Sequence, residues 1–226
     1  MQIIPRYTYE KLKRDETSGI RLYCDPQGNK IPSVTTVLDK TKPAEARAAL
    51  HAWRRRMGDA RATAISTEAA TRGTIMHSYL EKTLLGNAPV RGTNVYHKQG
   101  WDMSQVILDN YLRPHLSEVW GLEASLYYPE IYAGTTDLCG IYDGKPSIID
   151  FKQTNSPKTD ERVVDYKIQM CAYMLAHDAV HGTNIQQGVI LMCSKDLEPQ
   201  TWVLQGDELD HYKKVWWQRV AEYYQV

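Results

Sequence analysis

Thr135-Thr136-Asp137-Leu138-Cys139-Gly140-Ile141-Tyr142-Asp143-Gly144-Lys145-Pro146-Ser147-Ile148-Ile149-Asp150-Phe151-Lys152 is the stretch on which the fold turns. Two apolar runs flank Asp143-Gly144, a pair that favours the two-residue type I′ turn, so the segment predicts a β-hairpin. Centring the turn there pairs Tyr142 with Lys145, and counting outward sets Asp137 opposite Asp150. Directly opposed residues share a face of the sheet, with Cβ atoms ~5 Å apart. Carboxylates that close repel each other and do not both ionise without a cation between them. A hard divalent ion with oxygen ligands is the natural occupant. Lys152, two residues beyond Asp150, projects from the same face. Phe151 points the other way into the core and leaves its carbonyl to serve as a further ligand. An ammonium beside metal-bound carboxylates suits a water held in line with a phosphate. All of this depends on register. A three-residue loop would slip it by one and leave a surface hairpin with an ordinary Asp–Lys pair.

Around the hairpin, period-two patterning predicts further strands at Leu122–Tyr128, Gly188–Cys193 and Thr201–Leu204, with the hairpin strands at Thr135–Tyr142 and Ser147–Gln153. Helices are expected at Thr159–Val180 and Asp207–Tyr224. Upstream, Ile20–Tyr23 reads as a short strand and Asp25–Asn29 as a turn. Ser33 suits the N-cap of a short Val34–Leu38 helix. Longer helices follow at Pro43–Arg61, Thr67–Leu85 and Gly100–Val119, the last bent by Pro114. The plan is an α/β (α+β) fold: a mixed central sheet flanked by helices behind an all-helical N-terminal half. One domain spans 1–226, with 1–120 mostly helical and 121–226 holding the sheet.

Other residues join the hairpin carboxylates. Gly73, His77 and Glu81 recur every four residues on one helix face, where the glycine permits close packing and the imidazole offers nitrogen to a metal. Gln169 and Tyr173, also four apart, sit on the helix after the lysine strand and fit either the same cleft or a core-edge hydrogen bond. Arg47, Arg54 and Arg61 recur every seven residues as one helix stripe, with Arg55, Arg56 and Trp53 beside it. Such a stripe suits phosphate tracking and base stacking, or simply a solvated face.

Composition narrows the classes. The formal charge is zero, which argues against a protein that coats nucleic acid through its overall field but leaves room for a local basic channel. Fifteen Tyr and six Trp against one Phe suit half-wet faces. Cys24, Cys139, Cys171 and Cys193 are scattered, without zinc spacing or a secretory signal, and read as reduced, mostly buried thiols. No apolar run approaches the ~20 residues that cross a bilayer. A cytoplasmic location is the expectation.

Taken together, Gly73-x3-His77-x3-Glu81, Gly134-Thr135-Thr136-Asp137, Ile149-Asp150-Phe151-Lys152 and Gln169-x3-Tyr173 resemble the RecB-like branch of the PD-(D/E)xK nucleases. Within it, the chain is similar to a subgroup of mitochondrial and phage-type exonucleases. Pro32-Ser33-Val34-Thr35, Trp53-Arg54-Arg55-Arg56-Met57, the stretch from Asp150 to Tyr173 and the C-terminal strand-strand-helix through Tyr223-Tyr224 carry that likeness, over roughly residues 30 to 225. The resemblance implies a restriction-endonuclease-like core and Mg²⁺- or Mn²⁺-dependent hydrolysis of DNA. The substrate it implies is single-stranded DNA with free ends, passed through the N-terminal helices. It assigns the metal to His77, Asp137, Asp150 and the Phe151 carbonyl, and the nucleophilic water to Lys152. Gln169 and Tyr173 would orient the phosphate or the lysine, and Glu123 would be auxiliary. Ser33, Arg47, Trp53, Arg54 and Arg61 become substrate-binding candidates. Some relatives hold an iron–sulfur cluster through one early cysteine and a C-terminal trio. The wide separation of Cys171 and Cys193 departs from that pattern, so no cluster is expected. An endonuclease or junction-cleaving enzyme on the same fold is the nearer alternative, and a non-catalytic single-strand-binding module the farther one.

Overall fold

In the computed structural model, which describes residues 2–17 and 19–225, the hairpin is centred on Asp143-Gly144. Both residues take positive φ, 48° and 72°, as a type I′ turn requires. Tyr142 pairs with Lys145, and the ladder runs outward to Leu138 and Ile149, in the register read from the sequence. The strands so joined, β6 (Tyr132–Tyr142) and β7 (Lys145–Thr154), lie in the middle of a six-stranded sheet. Its order is β1-β5-β6-β7-β8-β9, with β1 Gln2–Ile3, β5 Leu116–Tyr128, β8 Gln187–Ser194 and β9 Pro199–Leu204. β6 runs antiparallel to both of its neighbours, β5 and β7. β7 and β8 run parallel, joined by the crossover helix α6 (Val164–His181). The sheet is therefore mixed.

Helices cover both faces. On one, α1 (Val34–Lys40), α6 and α7 (Gly206–Tyr224) bring Val37, Ile168, Met170 and Trp216 against Cys139, Ile148 and Ile190. On the other, α3 (Asp59–Leu84), α4 (Val95–Ile107) and the π-helical turn Leu108–Leu112 pack Met76, Leu80, Met103 and Ile107 on Leu138, Ile149, Phe151, Val189 and Leu191. Strand pleating explains the division, since alternate residues of β7 face opposite layers. β8 is buried at every position, as a parallel strand covered on both sides must be.

The N-terminal half corrects several expectations. It is not all helical: β1 joins the main sheet, and β2 (Lys13–Asp15), β3 (Leu22–Cys24) and β4 (Lys30–Pro32) form a separate three-stranded sheet. Strands of two or three residues are too short to show a hydrophobic period. The helix expected over Pro43–Arg61 ends at Met57 as α2 (Ala44–Met57), and Gly58, with φ of 79°, turns the chain into α3 at Asp59 instead of Thr67. Arg61 therefore lies on a different helix from Arg47 and Arg54, and the three do not form one stripe. The helix expected to reach Val119 stops at the short turn α5 (Arg113–His115), which contains Pro114, and β5 begins at Leu116. Proline carries no N–H to continue the helical ladder, and the alternation that follows suits a strand.

Candidate active site

Three acids stand level on three neighbouring strands. Leu122↔Leu138 and Ala124↔Thr136 set Glu123 of β5 opposite Asp137 of β6. Counted one step past the last β6–β7 pair, Leu138↔Ile149, Asp137 falls opposite Asp150. At Leu138 and Ile149 the main-chain β6–β7 ladder ends. There the Phe151 N–H donates to Asp137 Oδ2 at 2.5 Å, so a side chain takes over from the main chain. Asp137 Oδ1 meets His77 Nδ1 at 3.2 Å. His77 arrives from α3 and leans edge-on against the Phe151 ring, with centroids 5.9 Å apart.

Gly73, one turn before His77, lets α3 come close to β7: Gln153 Cγ lies 3.0 Å from where a Cβ would stand. Buried Arg72 locks the approach by donating to Gln153 Oε1 at 3.2 Å and to Asn155. On the other side of the cleft, Gly134 makes room for Tyr173, since a Cβ there would meet the ring at 2.6 Å. Gln169 Nε2 donates to the Tyr173 hydroxyl at 2.9 Å. Gly134, Gln169 and Tyr173 line a polar cleft of about 280 Å³ with Glu123, Asp137, Asp150 and Lys152.

Potential ligand atoms of His77, Glu123 and Asp137 lie within 4.8 Å of one another. Asp150, 3% exposed, is instead held in an ion pair by Lys152. The Lys152 ammonium also sits 5.0 Å from the Tyr166 ring centroid, a cation–π contact. The Phe151 side chain is buried and its amide serves Asp137. The structure thus gathers His77, Asp137, Asp150 and Lys152 as the sequence predicts and adds Glu123 to the front rank.

The acids titrate unlike free ones. Burial first, then the Asp137 charge, pushes the Asp150 carboxyl up, against the pull of Lys152. Glu123 is exposed at the cleft mouth, yet the surrounding protein and the Asp137 charge push it up to about 7. Burial opposes ionisation of Asp137, but His77, Lys152 and the Phe151 N–H outweigh it and hold the group below the usual range. Burial likewise opposes the charged forms of His77 and Lys152, and the neighbouring acids reverse that for both. Glu123 also adopts φ of 47°, a left-handed conformation that costs a non-glycine residue on the order of 1–3 kcal/mol. Such strain persists where the surroundings impose it.

The substrate-binding candidates divide. Ser33 lines the cleft, but its hydroxyl caps α1 by accepting Thr36 N at 2.9 Å. Arg47 turns back on the carbonyls of Lys42 and Lys40, at 2.8 and 3.0 Å. Arg54 pairs with Asp59 at 3.3 Å, and Arg61 lies exposed on α3. Trp53 lines a separate groove of about 800 Å³ with Lys42, Arg56, Lys158 and Arg162. The sequence places Arg56 beside Trp53 but does not flag Lys158, because the groove joins α2 to the loop after β7. Arg14 and Tyr23 of the small sheet, and Arg21 just before its second strand, also enter the polar cleft without a sequence signal. Of the cysteines, Cys139, Cys171 and Cys193 are buried and Cys24 is half-buried. Among the described residues, no helix is long and apolar enough to cross a membrane.

Fold and cleft together define an α/β protein with an imidazole–carboxylate–lysine site on a mixed sheet. Its nuclease resemblance extends along the chain to the mitochondrial genome maintenance exonucleases. Over 206 residues it is 30% identical to mitochondrial genome maintenance exonuclease 1 of Mus musculus, spanning 87% of this chain and 60% of that protein. The Homo sapiens protein of the same name is 29% identical over 208 residues, 87% of this chain and 59% of its own. The chain therefore spans about three fifths of the length of these curated relatives. A solved phage-related exonuclease from Haemophilus somnus aligns with a TM-score of 0.38 at 18% identity, covering 70% of this chain and 80% of that one. No family model matches the chain.

Proposed function

We propose that the protein is a Mg²⁺- or Mn²⁺-dependent exonuclease that hydrolyses single-stranded DNA from a free end. The observation that carries this reading is that His77 meets Glu123 and Asp137, and that these two acids share one polar cleft with the Asp150–Lys152 pair. The donor set suits a divalent cation: one imidazole nitrogen and carboxylate oxygens, crowded enough that Glu123 and Asp150 resist ionisation while no cation is present. His77, Asp137 and Glu123 would hold the ion, with Asp150 and the Phe151 carbonyl completing the set. When bound, it supplies Lewis-acid polarisation of the phosphate and a lowered pKa for the attacking water.

The chain's own groups do the rest. Lys152, kept protonated by Asp150 and Asp137, orients the water and offers positive charge to the phosphate. Asp137 keeps β6 and β7 together at the site through the Phe151 amide. The Gln169–Tyr173 pair presents polar atoms to the substrate phosphate from α6. The similarity to the mitochondrial genome maintenance exonucleases supports DNA as substrate.

Hydrolysis of end-labelled linear and circular single strands with Mg²⁺, Mn²⁺ or EDTA tests the reading. Metal-dependent shortening of the linear strand, with the circle intact, is expected. Cleavage of the circle would replace it with an endonuclease. Binding without cleavage in either metal would leave only a single-strand-binding module.

A further inference from the structure

Two arginines outside the motifs enter the cleft from the small sheet. Arg14 of β2 stands across the ladder from Tyr23 of β3, and Arg21 immediately precedes β3. Both line the same cavity as Asp137, Asp150 and Lys152. Their guanidinium groups converge on a single atom: Arg14 Nε and Arg21 Nε donate to Glu16 Oε1 at 2.8 and 2.9 Å, and Arg14 Nη2 adds a third contact. One carboxylate oxygen ringed by two guanidinium groups has the surroundings that a phosphate oxygen seeks. Glu16 itself lies on the adjoining surface that Arg21 shares with Thr35. The two arginine side chains remain 46% and 40% exposed, and ion pairs this wet are worth little, so a more highly charged anion can displace Glu16.

The pair is tied to the catalytic strand. The Tyr23 hydroxyl bonds Thr135 Oγ1 at 3.3 Å. The Arg21 carbonyl accepts both the Ser33 N–H and the Thr36 hydroxyl at 3.0 Å, and Ser33 bridges Ala133. Ala133 and Thr135 precede Asp137 on the same strand, so an anion on the arginines stands in a fixed relation to the metal-binding acids. Cations at this mouth also offset three acids that would otherwise repel a phosphate backbone.

We propose that Arg14 and Arg21 form a seat for a phosphate of the DNA strand beside the scissile bond, and that Glu16 occupies this seat in the free protein as an internal stand-in. The inference rests on the DNA reading above. Binding of a fluorescein-labelled single strand, by anisotropy in EDTA, tests it without hydrolysis. Strands with a 5′-hydroxyl and with a 5′-phosphate are compared.

Glu16→Gln is expected to bind severalfold more tightly, because the incoming anion no longer competes with a carboxylate. Arg14→Gln with Arg21→Gln is expected to bind about tenfold more weakly, as the loss of charged hydrogen bonds implies. Its plot of log affinity against log salt becomes shallower by about 0.7–1. Arg14→Lys with Arg21→Lys keeps the charge without the fork and falls between. An equal gain on both strands identifies a backbone phosphate, and a gain confined to the 5′-phosphate strand a terminal one; either supports the seat.

Wild-type affinity and salt slope in the double Gln variant, or in the double Lys variant should the former not fold, overturn the seat. Weaker binding by Glu16→Gln overturns the stand-in and makes Glu16 a brace. If the wild-type protein binds neither strand, the DNA reading falls and takes the seat with it.

Discussion

Asp137 accepts the Phe151 amide on one carboxylate oxygen and faces His77 on the other. A single side chain thus closes the end of the β6–β7 ladder and contributes to the candidate metal site. The two duties separate on substitution. Asp137→Asn keeps an oxygen for the amide and loses the charge, whereas Asp137→Ala loses both. Both variants should lose hydrolysis, but only Asp137→Ala should be destabilised by the roughly 1–3 kcal/mol of an unsatisfied buried donor. Urea denaturation beside a nuclease assay checks this. Equal stability of the two variants would show that the amide contact carries no weight.

Lys152→Met should lower the hydrolysis rate by roughly 10²–10⁴-fold, the range for a positioned proton-handling group. It also strands buried Asp150 without its partner. The variant should therefore be less stable, by up to about 3–5 kcal/mol at pH 8 and less at pH 5, where Asp150 can take a proton. Adding Asp150→Asn should restore the melting temperature and leave activity absent. If the double substitution is no more stable than Lys152→Met alone, the ion pair is not what fails.

Glu123 lies within ligand distance of His77 and Asp137. Mg²⁺ or Mn²⁺ should raise the wild-type melting temperature in proportion to the logarithm of its concentration. Glu123→Gln should need about tenfold more metal for the same rise, while its unfolding free energy in EDTA stays within about 0.5 kcal/mol of wild type, as for an exposed side chain. An unchanged metal response removes Glu123 from the ligand set.

His177 is fully buried, hydrogen-bonded to the Tyr9 hydroxyl at 3.0 Å and to Thr183 Oγ1 at 2.7 Å. Burial, then the neighbouring His181, pushes its pKa down to about 4. A histidine with a depressed folded pKa contributes its full stability above the unfolded value of ~6.5 and loses it as pH falls toward the folded value. Stability should therefore drop between about pH 6.5 and 4, by on the order of 3 kcal/mol from this group. His177→Gln should flatten that part of the melting profile. A variant with the wild-type slope would assign the acid sensitivity elsewhere.

No residue of α2 is buried, yet Trp53 stands half-buried in a groove with Lys42, Arg56, Lys158 and Arg162. Trp53→Ala should change stability by less than about 0.5 kcal/mol. If a base stacks there, single-strand affinity should fall by an amount equivalent to about 1–3 kcal/mol. Unaltered affinity would mark the groove as unrelated to DNA.

The hairpin that carries the candidate site was legible because its determinants are local. The two-residue turn at Asp143-Gly144 leaves one register open, and strand pleating then places Asp137, Asp150 and Lys152 on one face. His77 could be named as a candidate from its helix spacing, but not placed. Its approach to Asp137 depends on α3 packing against β7 through Gly73, Arg72 and Gln153, residues about 80 positions apart in the chain. The arginine stripe was misread because a pattern of every seventh residue is blind to a turn at Gly58 that splits the helix.

By itself, then, the sequence determined the hairpin register, the shared face of two acids and a lysine, and the alternation of strand and helix in the second half. All three are set by turn chemistry and side-chain period over a few residues. Only the tertiary structure decided that Glu123 joins the imidazole and Asp137, that Asp150 is held by Lys152, and that Arg14 and Arg21 reach the same cleft. Those meetings depend on how distant elements pack, and no short-range pattern encodes the distance between two side chains on strands or helices far apart in the chain.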